Sequence, residues 1–303
     1  MKNNVLILGG NGFIGRNLAR NLAEEYDVTI MDAYMPEEKL AGVSYIAGDF
    51  FNDRDLRELA RRYDNIVHAI CTINPSNCSA RYLSAYQKDF VQAVKLCGWL
   101  QESGGKMIFL SSGGTVYGSH EDWEFPLKES SATRPINQYG CLKLCIEDII
   151  RSFNAQYGSN HKIARITNPY GPGQDHNKGV GFVDAALKKA IKGETLEIWG
   201  DGKTVRDYIY IEDVCEMLKA LIRDESQEDT YNLSSAEGIS QLQVLEEMKN
   251  LGLQVNVVWK DARNTDLKKI ILDNQKIREI YDLEIKSFRE GIRLYYEYLK
   301  NIL

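Results

Sequence analysis

A short apolar run at residues 5–8 is followed at once by Gly9-Gly10-Asn11-Gly12-Phe13-Ile14-Gly15, and then by helical periodicity over residues 13–25. Glycines at 9, 12 and 15, placed where a strand turns into a helix, leave the chain few options. One glycine permits a tight turn, another lets backbone approach a pyrophosphate, and another lets helix and strand pack closely. The start of the helix then offers unpaired N–H groups and the positive end of its dipole to phosphate. A lone glycine triplet is a weak signal, and the strand–turn–helix setting strengthens it. Gly9, Gly12 and Gly15, with Phe13 and Ile14 opening the helix, are expected to hold a dinucleotide.

The next 140 or so residues repeat this alternation. Strands are expected at 28–31, 43–46, 66–69, 107–110 and 163–166, and helices at 53–62, 82–102 and 137–156. Such a rhythm implies an α/β fold, a Rossmann-type doubly wound parallel sheet covered on both faces. At residue 168 the texture changes. The stretch NPYGPGQDHNKGVG reads as a loop, followed by a helix at 180–192 and short strands at 196–199, 231–233 and 255–259. The C-terminal stretch 288–299 has helical spacing. The expected organisation is a dinucleotide-binding domain over 1–167 with a return segment near 206–234. A smaller C-terminal substrate-binding lobe takes 168–205 and 235–303.

Composition narrows the partners. With 37 Lys and Arg against 43 Asp and Glu, the net charge of −6 disfavours a broad nucleic-acid surface. Six cysteines are scattered with no C-x-x-C pair, and there are four histidines, so no metal site is expected. The cysteines read as reduced core thiols of a cytoplasmic protein. The first apolar run is shorter than a signal-peptide core, and no segment approaches the roughly 18 apolar residues of a membrane span.

Asp32 ends the second expected strand, 20 residues past Gly12. A carboxylate there accepts from the adenosine ribose hydroxyls and repels a 2′-phosphate, and Ala33 and Tyr34 provide no arginine to welcome one. NAD is therefore expected rather than NADP. Asp49, after the third strand, reads either as a partner of the adenine amino group or as a turn residue. Tyr139 and Lys143 sit at i and i+4 on one helical face. That spacing alone means little, since Tyr296 and Lys300 repeat it; the setting of Tyr139, downstream of the strand ending in Ser111-Ser112, distinguishes it. A free tyrosine is a poor base near neutral pH. A neighbouring ammonium favours the phenolate, which then takes a hydroxyl proton while hydride leaves the same carbon.

Together these motifs resemble the extended short-chain dehydrogenase/reductase family, in its nucleotide-sugar epimerase/dehydratase branch. The likeness runs through GGNGFIG, Asp32, Gly48-Asp49, His68-Ala69, SSGGTVYG at 111–118, Tyr139 with Lys143, Asn168-Pro-Tyr-Gly-Pro-Gly, LEIWGDGKTVRDYIYIEDV at 196–214, YNLSSAEGIS at 231–240, and Arg263 with Asp266. The resemblance implies that Phe50 and Ala69 join the cofactor site and that Lys143 also bonds the nicotinamide ribose. It implies that Arg206 grips a diphosphate, that Asn168 donates to sugar or diphosphate, and that Arg263 and Asp266 hold phosphate and ribose. Trp199 either stacks on the base or packs in the core.

The sequence departs from the branch at Gly113, where a substrate-bonding Ser or Thr is usual. Thr115 is the nearer substitute and Ser112 the other. No carboxylate stands beside them, which disfavours a dehydratase. Asp89 stands where many epimerases have Asn. The implied activity is an NAD-dependent epimerase of a nucleotide-diphosphate sugar, a UDP-sugar favoured, acting at C4 through a 4-keto intermediate. A 4-ketosugar reductase or dehydrogenase would carry the same residues. A non-catalytic NAD-binding sensor is the reading from another class. The resemblance also implies a homodimer packed through helices 82–102 and 137–156.

Overall fold

The computed structural model describes residues 4–118, 124–262, 267–280, 282 and 284–303. In chain order the strands are β1 (Asn4–Leu8), β2 (Asp27–Asp32), β3 (Val43–Ala47), β4 (Asn65–His68), β5 (Lys106–Ser112), β6 (Lys162–Ile166), β7 (Asn168–Tyr170), β8 (Thr195–Trp199), β9 (Val205–Tyr210), β10 (Thr230–Leu233), β11 (Gly238–Ser240) and β12 (Asn256–Lys260). The α-helices are α1 (Phe13–Leu22), α2 (Asp53–Arg62), α3 (Cys78–Ala85), α4 (Val91–Ser103), α5 (Gln138–Tyr157), α6 (Phe182–Lys192), α7 (Ile211–Arg223), α8 (Gln241–Asn250), α9 (Gln275–Ile280) and α10 (Phe288–Lys300).

Seven strands form one parallel sheet in the order β10-β6-β5-β4-β1-β2-β3. Its strands are apolar on both faces because both faces are covered. In β1, Val5 and Ile7 join the core cluster shared with Leu18 of α1 and Val214 and Leu218 of α7. Leu6 and Leu8 point the other way, into a cluster with Leu56 of α2, Leu96 of α4 and Leu142 of α5. This two-residue alternation buries every side chain of the strand from Val5 onward. The strand order reverses between β1 and β4, and a crevice opens at such a switch point beyond the carboxyl ends of the strands.

The Rossmann-type architecture is as expected, with differences in detail. The single helix expected at 82–102 is α3 and α4 joined by a π turn, Tyr86–Phe90. That turn carries Asp89 inside, where it is 2% exposed and accepts from Thr72 N at 2.7 Å and Thr72 Oγ1 at 3.0 Å. The return to the main sheet starts later than residue 206. β9 pairs with β7 and β11 in a separate three-stranded sheet, and it is α7 and β10 that pack on or pair with the central sheet. β8 and β12 form a parallel two-stranded sheet. A third core cluster gathers Leu187 of α6, Tyr208 of β9, Met248 of α8 and Ile292 of α10.

All six cysteines are free, and Cys71, Cys141 and Cys145 are only half-buried, so the reading of all six as core thiols fails for these three. Among the described residues no helix is long and apolar enough to cross a membrane.

Candidate active site

A cavity of about 690 Å³ opens at the switch point. Its cofactor end is lined by Gly9, Gly12, Phe13, Ile14, Gly15 and Ala69. Gly9 adopts φ +79°, which L side chains rarely take, and its N–H donates to Met31 O at 2.9 Å. This turn brings Gly12 to the N-cap of α1 with no side-chain cap and no acidic residue in the first turn. The first-turn amides are thus left to a ligand, and this donor set fits a pyrophosphate. Asp32 ends β2 outside the cavity lining, with its carboxylate oriented by Asn11 N at 3.0 Å and Ala33 N at 2.8 Å.

At the centre, Tyr139 and Lys143 both line the cavity. Lys143 is 3% exposed; its ammonium donates to Leu110 O at 2.7 Å and lies 4.6 Å from the Phe109 ring centre. The Tyr139 hydroxyl does not behave as the sequence suggested. Burial pushes its pKa well above 10, the nearby Cys71 thiol adds to the rise, and the neighbouring Ser112 hydroxyl offsets part of it. Lys143 is not among the influences on it, and its ammonium donates to Leu110 O. The same ammonium acts on His68. Buried at 1% exposure against Phe50 and Phe109, His68 is driven to a pKa of about 3, first by burial and then by Lys143. The imidazole is neutral.

The structure explains Gly113. A Cβ there would lie 2.5 Å from Leu272 Cδ1 and 2.9 Å from Arg165 O, so a side chain at 113 would collide with neighbours outside the cavity. Residue 113 is not among the cavity-lining residues, whereas Ser112 and Thr115 are. Of these two, Ser112 is the one whose hydroxyl bears on the Tyr139 phenol, lowering its pKa against the effect of burial. Thr115 Oγ1 is buried without a hydrogen-bond partner among the described residues. Both hydroxyls line the cavity and could replace the one absent at Gly113.

The far end holds Asn168, Trp199 and Arg206. Asn168 Nδ2 donates to Asp207 O at 3.0 Å. Trp199 is 37% exposed at the end of β8, which decides against core packing. Arg206 Nη1 donates to Leu267 O at 2.7 Å and Val205 O at 3.0 Å. Asp213 pairs with Lys286, and Asp207 accepts from Ser235, Thr167 and Leu272.

Asp49 and Phe50 do not line the cavity. Asp49 Oδ1 accepts from Phe51 N at 2.9 Å, as a turn residue does. The Phe50 ring is 4% exposed in the core against His68, and its carbonyl accepts from Gln92. Arg263 and Asp266 lie outside the described residues. Cys71, Gln174 and Gln241 also line the cavity, and sequence reading missed them. Only Gln174 left a signal, its place in the Gly/Pro loop. Among the described residues no group of three or more His, Cys, Asp or Glu is placed to hold a metal.

Residues 5–234 match the NAD dependent epimerase/dehydratase family, and the chain belongs to it. UDP-glucose 4-epimerase of Streptococcus mutans is 29% identical over 303 residues, covering 91% of this chain and 90% of that protein. A dTDP-4-dehydro-6-deoxyglucose reductase of Escherichia coli is 29% identical over 298 residues, covering 90% and 89%. The crystal structure of UDP-glucose 4-epimerase from Thermotoga maritima with UDP-glucose superposes with a TM-score of 0.90 at 27% identity, covering 98% of this chain and 99% of that one.

Proposed function

We propose that this protein is an NAD-dependent epimerase that inverts C4 of a UDP-sugar. One observation carries the reading: the glycine loop, Tyr139 with Ser112, and Arg206 with Trp199 share one continuous cavity. Residues 1–167, rejoined by α7 and β10, hold the dinucleotide; 168–210 and 235–303 hold the nucleotide sugar.

Bound NAD supplies a hydride acceptor and then a hydride donor at the sugar carbon. Gly12, Phe13, Ile14 and Gly15 bind its pyrophosphate through backbone amides, and Asp32 takes the adenosine ribose hydroxyls. Ala69 borders the same cofactor. Tyr139 removes the proton of the 4-hydroxyl, with Ser112 sharing the hydrogen bond. The high pKa of the phenol in this site means that it needs positive charge close by, which Lys143 and the oxidised ring provide. Arg206, joined by Asn168, Arg263 and Asp266, fixes the diphosphate and nucleoside, and Trp199 stacks on the base. Once the 4-ketose has turned about its diphosphate tether to present its other face, Tyr139 would return the proton to the oxygen. No cofactor is consumed. Gly113-Gly114-Thr115 places no carboxylate beside the sugar, which counts against a dehydratase.

The similarity to the E. coli reductase supports a second reading, a 4-ketosugar reductase with the same residues. Incubating the purified protein with a panel of UDP-sugars, without added dinucleotide, and resolving the products by NMR separates the two. Interconversion of C4 epimers is expected; turnover of 4-keto sugars only, with stoichiometric consumption of added reduced cofactor, would establish the reductase. We further propose a cytoplasmic homodimer. The six free cysteines support the compartment. Exposed Tyr82 and Leu83 on α3, Val91 on α4 and Tyr157 on α5 support pairing through these helices.

A further inference from the structure

Tyr139, Lys143 and Glu147 occupy three successive turns of one face of α5. The first two line the cavity; Glu147 does not, and it is completely buried. Its carboxylate accepts from Arg165 Nη2 at 2.7 Å and from Arg165 Nε at 3.1 and 3.2 Å. It also accepts from Ser111 Oγ at 2.5 Å and from Arg151 Nη2 at 2.7 Å. Arg165, on β6, is 2% exposed. Its remaining amino group donates to the Tyr117 hydroxyl at 2.9 Å and to Glu129 O at 3.2 Å. Tyr117 donates onward to Asn232 Oδ1 on β10 at 2.6 Å.

Ser111 and Tyr117 bracket the loop that carries Ser112 and Thr115. One guanidinium–carboxylate pair therefore ties down the helix bearing Tyr139 and both ends of the loop bearing the cavity hydroxyls. Stability does not require charges here. Replacing a buried ion pair with apolar residues of similar volume is often neutral or stabilising. What a planar, bidentate fork provides and hydrocarbon does not is direction.

We propose that Glu147 and Arg165 are positioning residues that set the separation between the Tyr139 phenol and the hydroxyls of Ser112 and Thr115. The proposal rests on the reading of Tyr139 as the proton acceptor. Misplacement by about 1 Å is enough to cost roughly 10²-fold in rate. Loss of the pair is therefore expected in kcat, while NAD affinity and KM, set at the two ends of the cavity, hold.

The test is the double variant Glu147→Leu/Arg165→Met, in which neither charge is stranded. It is accompanied by Ser111→Ala and Tyr117→Phe, each cutting one arm, and by Arg165→Lys, which keeps charge without the fork. The double variant is expected to bind NAD as the parent does, keep KM, and lose about 10–100-fold in kcat. Ser111→Ala and Tyr117→Phe are expected to lose several-fold each with the acid limb of the kcat profile displaced, and Arg165→Lys to recover part of the double variant's loss. If the double variant fails to fold by circular dichroism, the two single-arm variants decide. Parental kcat and pH profile in both single-arm variants, or in a folded double variant, overturns the proposal. Tyr139→Phe, run alongside, separates the failures. Inactive Tyr139→Phe with fully active arm variants refutes the positioning role alone; active Tyr139→Phe refutes the reading of the site and the positioning role with it.

Discussion

The ammonium of Lys143 lies 5.7 Å from the centre of the Tyr139 ring, one helical turn away, yet its hydrogen bond goes to the carbonyl of Leu110. Lys300 sits 5.3 Å from the Tyr296 ring centre in the same i, i+4 relation, on a helix away from the cavity. Cation–ring proximity does not distinguish the two pairs; shared access to the glycine loop does. Tyr139→Phe removes only the phenolic oxygen and should lower kcat by about 10²–10⁴-fold while NAD binding persists. Tyr296→Phe should leave kcat unchanged. Steady-state assays on the true substrate check both.

Arg206→Ala should weaken nucleotide-sugar binding by about 1.5–3 kcal/mol, the range for hydrogen bonds to charged groups. NAD affinity should hardly move, because the glycine loop occupies the opposite end of the cavity. Titration calorimetry with each ligand reads the split, and an equal loss for NAD would place Arg206 at the wrong site.

Gly113 and Gly114 should respond oppositely to an added methyl group. Gly113→Ala meets Leu272 and the Arg165 carbonyl and should cost about 1–3 kcal/mol of stability. Gly114→Ala finds nothing nearer than Asn168 Oδ1 at 3.8 Å and should leave Tm in place. Gly113→Ser should likewise destabilise without raising kcat. Ser112→Ala should lower kcat more than it raises KM, since a hydroxyl lining the cavity with Tyr139 matters most as the proton moves.

NAD should bind at least tenfold tighter than NADP, a gap of about 1.4 kcal/mol. The Asp32 carboxylate is held by Asn11 and Ala33 amides and cannot swing away from a 2′-phosphate without breaking both bonds. Equal affinities by calorimetry would remove Asp32 from the cofactor site.

Asp207 is completely buried and its pKa is raised from 3.8 to about 6, chiefly by burial, with bonds from Leu272, Ser235 and Thr167 working against the rise. The folded state thus holds a proton that the unfolded chain releases near pH 4. The protonated carboxyl contributes stability fully below about pH 4, and the contribution is lost as pH rises through 6, about 3 kcal/mol in all. Asp207→Asn should remove this component. The difference in unfolding free energy between parent and variant, measured by urea titration from pH 4 to 7, should change by that amount and be flat above pH 7.

Strands at 5–8, 28–31 and 163–166 were legible because a doubly covered sheet demands unbroken apolar runs between helices of clear period. The glycine loop and Tyr139 were legible because their chemistry depends on local spacing. What sequence missed depends on contacts across long separations. The π turn at Tyr86–Phe90 has no spacing signature, and Asp89 faces inward to meet Thr72, 17 residues away. The fate of Gly113 is set by Leu272, far along the chain. The rise in the Tyr139 pKa follows from burial, and the Lys143 hydrogen bond goes to Leu110 O, a backbone carbonyl that no side-chain pattern reveals.

β10 occupies an edge of the central sheet beside β6, although 63 residues separate Ile166 from Thr230. A fragment ending at β6 would expose the backbone donors and acceptors of Lys162–Ile166 along a fully buried strand, an open template for pairing with other chains. The half that carries the glycine loop is thus not a detachable cassette. Grafting a relative's sugar-holding half onto this one would require splicing on both sides of the α7–β10 segment, and a single crossover after residue 167 should yield insoluble chimeras.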